Sequence, residues 1–126
     1  MMALPPYAAL LALSAEDDPW APVLVMPFRE QVMGRPGFLH GGAISGLLEM
    51  AAIGALQAAL DPGARIKPVN VTVDFMRGVR EGDTRAQGMV TRLGNRIANV
   101  HAIAWQDDRD RPIASARMNY LIARQD

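Results

Sequence analysis

The segment from His40 to Leu60 constrains the fold of this chain more than any other. Its residues are nearly all apolar or small, and Glu49 carries its only formal charge. The turn sequence Asp61-Pro62-Gly63 ends the pattern, which predicts one helix of about 20 residues, roughly 30 Å long. A helix that is apolar on all sides must be enclosed by the rest of its domain. The remaining elements are therefore expected to wrap around it.

Most of the chain outside this helix has the pattern of β-strands. Residues 66–77 alternate apolar and polar side chains with a period of two, and Gly94-Asn95 is a typical hairpin dipeptide. Pro27 indicates an edge position or a bulge in the first strand. The segment 30–38 predicts a loop. The predicted strands are 22–29, 66–77, 84–93, 97–105 and 112–122.

One helix with about five strands, mostly linked by hairpins, predicts an antiparallel α+β domain. Alanines and glycines recur along the helix, so the sheet can approach its backbone closely. At 126 residues, the chain 1–126 is expected to form one domain.

Composition excludes several classes of function. The chain has 13 basic and 13 acidic residues, so its formal net charge is zero. It is therefore not expected to bind polyanions in general, and nucleic acid is not an expected partner. It has no cysteine, which excludes a thiolate nucleophile and a zinc–cysteine site, and a reducing cytoplasm is the expected setting. No metal or cofactor is predicted.

No membrane association is predicted either. The charge-free run after Glu49 ends near Leu60, well short of the roughly 20 residues needed to span a bilayer. The apolar run Ala8–Leu13 has no basic residue before it, unlike a secretory leader. It predicts a short packing helix from about Pro6 to Ser14.

Glu49 is the first candidate for chemistry, because a carboxylate on such an apolar helix is costly unless it is paired or used. The alternative is a structural carboxylate that pairs with an arginine or caps a neighbouring loop. On a helical wheel the acid lies beside small residues, where a ligand could pack against the helix. Its neighbours on that face are Gly42, Ser45, Gly46, Ala52 and Ile53.

The start of the helix is the second candidate. Its first backbone N–H groups have no helical partners, and the helix dipole places partial positive charge there. Gly41 and Gly42 leave these donors unshielded, so they could hold a developing oxyanion. The alternative is that the glycines only allow a tight entry into the helix. His40, likewise, could be a loop histidine that caps the helix or orients the loop before it.

These residues carry a family resemblance. The sequence from Gly37 to Gly42 (GFLHGG), followed by a small-residue helix with an acid nine places after His40, resembles the hotdog-fold thioesterases. The nearest branch is that of the phenylacetate-degradation (PaaI-like) and 4-hydroxybenzoyl-CoA thioesterases. The resemblance covers about Pro22 to Ala123 and continues through 71–77, 81–83 and 92–96. It implies a hotdog fold, in which a curved antiparallel sheet wraps around one long helix.

The resemblance also implies hydrolysis of an acyl-CoA thioester with an aryl or a short- to medium-chain acyl group. Glu49 matches the catalytic acid, as general base or as nucleophile, and Gly41 matches the backbone donor to the thioester carbonyl. Six residues before His40 the family often carries Asn or Gln, whereas this chain has Gly34. The residues expected to contact substrate are His40, Gly42, Gly34, Ser45 and Arg77.

Coenzyme A is expected to meet the β-strand half of the chain. Between Pro62 and Gln106 there are seven basic residues against three acidic ones, which suits phosphate groups. The candidate contacts lie at the 92–96 turn. They are Arg92, Gly94, Asn95 and Arg96.

Helix geometry predicts a homodimer or a dimer of dimers. Gly41 and Glu49 are eight residues apart, about 12 Å along the axis, so one thioester cannot readily touch both on one helix. Antiparallel helices across a two-fold axis would bring Gly41 of one chain to Glu49 of the other.

Two other functions stay open on the same fold. One is a non-catalytic acyl-CoA or acyl-carrier binding protein, for which Gly34 is the best argument. The other is a dehydratase, a family in which a Pro-Gly turn such as Pro36-Gly37 also precedes the helix. Those enzymes use a histidine upstream of the turn, and no histidine precedes His40 here.

Overall fold

The computed structural model describes residues 4–124. Its central element is the helix α2 (Gly41–Ala59), close to the predicted bounds. A one-turn helix α1 (Tyr7–Leu10) precedes it, and a single 3₁₀ turn (Glu30–Val32) lies in the predicted loop. The strands are β1 (Ser14–Glu16), β2 (Val23–Met26), β3 (Arg65–Phe75), β4 (Thr84–Leu93), β5 (Ile97–Trp105) and β6 (Ala114–Ala123).

All six strands form one antiparallel sheet in the order β1-β2-β4-β5-β6-β3. The helix α2 packs mainly on β4 and β5. At the closest approach, a Cβ on Gly88 would lie 2.6 Å from the Ala51 carbonyl oxygen, so only glycine fits there. One long helix wrapped by a curved antiparallel sheet confirms the predicted hotdog fold.

The core lies between α2 and the concave face of the sheet. Leu47, Leu48 and Leu56 of the helix are completely buried against strand residues such as Val100 and Ala102. Judged by length and composition alone, α2 could cross a membrane, yet 67% of its apolar stretch is buried inside the domain. The core helix of a globular domain passes the same test, so enclosure by the sheet accounts for its composition.

The N-terminal segment differs from the prediction. The helix expected from Pro6 to Ser14 spans only Tyr7–Leu10, because Ala12 adopts a left-handed conformation with φ 55° that ends it. The strand β1 follows and pairs with β2, which makes six strands rather than about five. The predicted first strand is shorter as well, since it ends at Met26, before Pro27.

The strand β3 forms one edge of the sheet and pairs only with β6 among the described strands. Its register shifts between Pro68 and Asn70, and Asn119 Nδ2 donates to Asn70 Oδ1 at 2.8 Å just after the shift. Val71 and Phe75, two apolar members of the predicted alternation, remain 53% and 55% exposed. The shift and the exposed face leave an open groove between α2 and this edge.

Candidate active site

Glu49 lies in a groove between α2 and the β3–β6 edge, with a volume of about 420 Å³. The carboxylate is partly exposed, and residues 4–124 contribute no hydrogen bond or ion pair to it. The alternative in which Glu49 pairs with an arginine is therefore not formed within this part of the chain. The groove is otherwise lined by Pro5, Tyr7, Met50, Ile53, Gln57, Ile66, Pro68 and Tyr120.

Tyr120 of β6 is the buried polar neighbour of Glu49. Its side chain is 0% exposed, and its hydroxyl donates to Met118 Sδ at 3.2 Å. Burial, and after it the negative charge of Glu49, raises the pKa of the Tyr120 phenol well above its usual value. The phenol therefore stays neutral beside the carboxylate, so Glu49 is the one charged side chain among the described residues that line the groove.

The start of α2 presents one free backbone donor. His40 is the N-cap, and its Nδ1 accepts the Gly42 N–H at 2.8 Å. The His40 carbonyl accepts the N–H groups of Ala43 and Ile44 at 3.0 and 3.2 Å. Within residues 4–124 the Gly41 N–H has no acceptor. The helix dipole and this open donor together favour a partial negative charge at Gly41.

The open side of Gly41 faces an aromatic ring. A Cβ placed on Gly41 would lie 3.4 Å from Cζ of Phe75, which stands near the end of β3. Ser45 lies on the next turn of α2, where its Oγ donates to the Gly41 carbonyl at 3.0 Å. A small acyl carbonyl at the Gly41 N–H would therefore meet an apolar ring.

The loop before α2 brings Gly34 to the same place. The Gly34 N–H donates to the Phe38 carbonyl at 2.9 Å, and the His40 N–H donates to the Val32 carbonyl at 2.8 Å. A Cβ on Gly34 would lie 3.2 Å from the His40 Cα and 3.5 Å from its Cδ2. Gly34, His40 and Gly41 are thus neighbours, and a side chain at position 34 would reach the helix start.

The structure does not bring every predicted residue to Glu49. Gly41 lies about 12 Å from it along the same helix. Arg77 lines a separate cleft of about 610 Å³, together with charged residues that include Arg80, Asp83 and Asp108. Within residues 4–124 no group of three His, Asp or Glu side chains could hold a metal ion.

The four predicted CoA contacts lie at the β4–β5 turn, Arg92 near the end of β4 and the other three in the turn, and none of them lines the groove. Arg92 and Arg96 are exposed there, and Arg124 Nη2 donates to the Gly94 carbonyl at 3.1 Å while its Nε donates to the Asn95 carbonyl at 3.3 Å. The Ile122 N–H donates to the Arg96 carbonyl at 2.7 Å, and Ile122 pairs with Ile66 of the groove. The turn therefore adjoins the end of the groove at which β3 begins.

Sequence reasoning missed Pro5, Tyr7 and Tyr120 as residues of the groove. Tyr7 and Tyr120 reach Glu49 only through tertiary packing, which no local pattern encodes. One signal was available: Gly46 interrupts an apolar helix, and such a glycine can mark a close approach by another side chain.

Comparison with known proteins places this geometry in a family. A family model described as the thioesterase superfamily matches residues 36–113. A candidate esterase of Thermoplasma volcanium is 28% identical over 86 residues, which are 68% of this chain and 63% of that protein. The match thus spans less than two thirds of that relative's length.

Two solved structures share the fold. A candidate thioesterase of Ralstonia eutropha JMP134, a phenylacetic acid degradation-related protein, has a TM-score of 0.82 at 20% identity, over 95% of this chain and 92% of that one. A protein of Bacillus halodurans, solved with CoA, has a TM-score of 0.84 at 16% identity, over 95% and 80% of the two chains. At 20% and 16% sequence identity, these two structures show that the chain shares their fold.

Proposed function

Because this chain belongs to the thioesterase superfamily, we propose that it hydrolyses acyl-CoA thioesters with an aryl or a short- to medium-chain acyl group. One observation carries the proposal: the Glu49 carboxylate stands in a mostly apolar groove without a partner among residues 4–124. A carboxylate kept there is costly unless it serves a reaction or a ligand. The CoA found with the Bacillus halodurans protein supports CoA as the thiol half of the substrate.

Glu49 has two possible roles in this reaction. As a general base it removes a proton from water while the water oxygen attacks the thioester carbonyl carbon. As a nucleophile it forms an acyl anhydride with the substrate, which water then hydrolyses. In either case the C–S bond breaks, the sulfur leaves as the CoA thiolate and takes up a proton, and the free acid is released.

Gly41 supplies the second part of the mechanism. Its N–H has no acceptor among the described residues and lies at the positive end of the α2 dipole, so it is suited to hydrogen-bond the carbonyl oxygen as negative charge develops on it. His40 keeps the neighbouring Gly42 donor occupied. Gly41 is therefore the single backbone donor that we assign to the oxyanion.

We place each active site between two copies of the chain. Gly41 and Glu49 are too far apart on one helix to share a small thioester. The free edge of β3, with Val69 and Val71 57% and 53% exposed, has the features of a strand that pairs with another chain. A homodimer through β3, alone or within a dimer of dimers, would supply Glu49 from one protomer and Gly41 from its partner.

The CoA moiety is expected at the β4–β5 turn. Arg92 and Arg96 are exposed there, and Arg96 adjoins the Ile66 end of the groove through Ile122, a position that would suit phosphate contacts. Absence of cysteine agrees with a reducing cytoplasm as the site of action, which is part of the proposal.

Replacement of Glu49 tests the function directly. Glu49→Gln keeps the shape of the side chain and removes the base or nucleophile, so turnover should fall by roughly 100-fold or more. The assay uses a panel of aryl-, short- and medium-chain acyl-CoAs with detection of the free thiol. Asp61→Asn, an exposed acid just after the same helix, is the matched control and should leave turnover unchanged.

A second candidate function rests on Gly34. The absence of an amide side chain there favours a protein that binds acyl-CoA or an acyl carrier without turning it over. Binding of acyl-CoA by a wild-type protein that hydrolyses no member of the panel would establish this alternative. Near-normal turnover by folded Glu49→Gln would instead show that Glu49 is not the catalytic acid.

A further inference from the structure

The N-terminal segment forms one wall of the Glu49 groove. Pro5 and Tyr7 both line it, although they precede the resemblance to the thioesterase family in the chain. Tyr7 fits closely against α2 at Gly46, one turn before Glu49. A Cβ on Gly46 would lie 2.6 Å from Tyr7 Cε2 and 2.9 Å from its hydroxyl oxygen. Glycine at position 46 is therefore what allows the ring to lie against the helix.

Several contacts hold this wall in place. Leu11 is 3% exposed and belongs to the core, where its Cδ1 also lies close to Gly46. Arg29 Nη2 donates to the Leu10 carbonyl at 2.6 Å, and the Leu13 N–H donates to the Ala8 carbonyl at 3.0 Å. The strand β1 then joins the sheet through β2. The backbone that carries Tyr7 is thus fixed to both the core and the sheet.

The position of the ring sets the space beside Glu49. The groove runs along α2 from Glu49 past Ile53, and β3 bounds it through Ile66 and Pro68. Tyr7, packed on Gly46, lies at its Glu49 end. Tyr7 is 40% exposed, so one part of the ring packs on the helix and another faces the groove. An acyl chain whose carbonyl lies at Glu49 and whose tail points toward Gly46 meets this ring.

We propose that Tyr7 is a specificity-determining residue that limits the length of the acyl group. The inference rests on the proposed function, because it assigns the substrate class of that same site. Within the proposed substrate class, the groove with Tyr7 present favours aryl and short-chain acyl groups over medium-chain ones. Where an apolar wall blocks an acyl chain, one additional methylene lowers kcat/KM by about 10-fold or more, which an assay can measure.

The test compares acyl chain lengths in matched variants. Tyr7→Ala should raise kcat/KM for decanoyl-CoA relative to butanoyl-CoA by about 10-fold over the wild-type ratio. Two variants serve as controls. Tyr7→Phe keeps the ring, and Leu10→Ala truncates a side chain of the same helix that is 66% exposed and does not line the groove. Both should leave the ratio of kcat/KM for decanoyl-CoA to that for butanoyl-CoA within about twofold of the wild-type value. Tyr7→Leu, which shortens the wall but keeps an apolar side chain on Gly46, replaces Tyr7→Ala if that variant does not fold.

A binding measurement separates this inference from the proposed hydrolysis. Titration calorimetry with the non-hydrolysable thioethers S-butyl-CoA and S-decyl-CoA should show the same shift toward the longer chain in folded Tyr7→Ala. If the wild type binds but does not hydrolyse, the proposed function fails while the shift in binding still supports the role of Tyr7. An unchanged chain-length profile in folded Tyr7→Ala, or no thioether binding by wild type, overturns the inference.

Discussion

The side chain of His40 accepts the amide N–H of Gly42 at 2.8 Å, although the two residues are only two positions apart. This contact makes the histidine an N-cap of α2 and occupies the donor that follows Gly41. Of the two glycines that begin α2, only Gly41 keeps an open N–H within the described part of the chain. His40 therefore determines which backbone donor stays open at the start of α2.

Loss of this cap should reduce stability. His40→Ala leaves the Gly42 N–H without its acceptor, and the free energy of unfolding should fall by about 1 kcal/mol. His40→Asn offers a side-chain oxygen at nearly the same place and should recover most of that loss. Urea unfolding of both variants measures the difference. Equal destabilisation by Ala and Asn would show that the hydrogen bond contributes little.

Position 34 tests whether an amide is missing from the site. Gly34→Asn places its Cβ 3.2 Å from the His40 Cα, so His40 must shift by a few tenths of an ångström. If the new amide then reaches water or substrate, activity toward at least one acyl-CoA should rise about 10-fold, or roughly 1.4 kcal/mol. Gly34→Ala adds the same Cβ without the amide, so the difference in kcat/KM between the variants isolates the amide. Equal values would mean that the site works without it.

The raised pKa of Tyr120 predicts a change of stability in alkaline solution. The folded pKa lies above the unfolded value of about 10, so the stabilisation is fully present below pH 10 and is lost as the pH rises through the folded pKa. Between these two values the free energy of unfolding should fall by up to ~1.4 kcal/mol per pH unit from this group. Tyr120→Phe removes the group, so its decline above pH 10 should be shallower. Urea unfolding measures the free energy of unfolding of wild type and Tyr120→Phe above pH 10. If the two values decline in parallel, groups other than Tyr120 cause the loss of stability.

The sequence predicted those elements whose signals are local. The limits of α2 follow from His40, which caps it, and from Asp61-Pro62-Gly63, which ends it. The predicted strands 84–93 and 97–105 have the observed bounds, because their alternation and turns lie within a few residues. The strand β1 carried no such signal. It has three residues, all of them exposed, and the ion pair of Glu16 with Arg85 joins positions 69 residues apart.

The candidate site divides in the same way. Glu49, His40 and Gly41 could be identified from the sequence, because their spacing along one loop and one helix is a local property. The ring of Tyr7 reaches the groove only because of a close approach at Gly46, and Tyr120 reaches it across the sheet. The exposed face of β3 could not be predicted either, since alternation indicates which side chains share a face but not what covers that face.

Complementation between inactive subunits tests whether two chains share one site. Gly41→Pro removes the donor N–H at the first helical position, where proline is tolerated, and Glu49→Gln removes the acid. Each variant alone should be folded and nearly inactive. A mixed dimer has one site with both defects and one with neither, and random reassortment makes half of the dimers mixed. Activity should then recover to roughly a quarter of the wild-type value.

Mixing two Glu49→Gln preparations gives the baseline, and subunit exchange is followed with a tagged copy. Confirmed exchange without recovered activity would show that each site is built within a single chain.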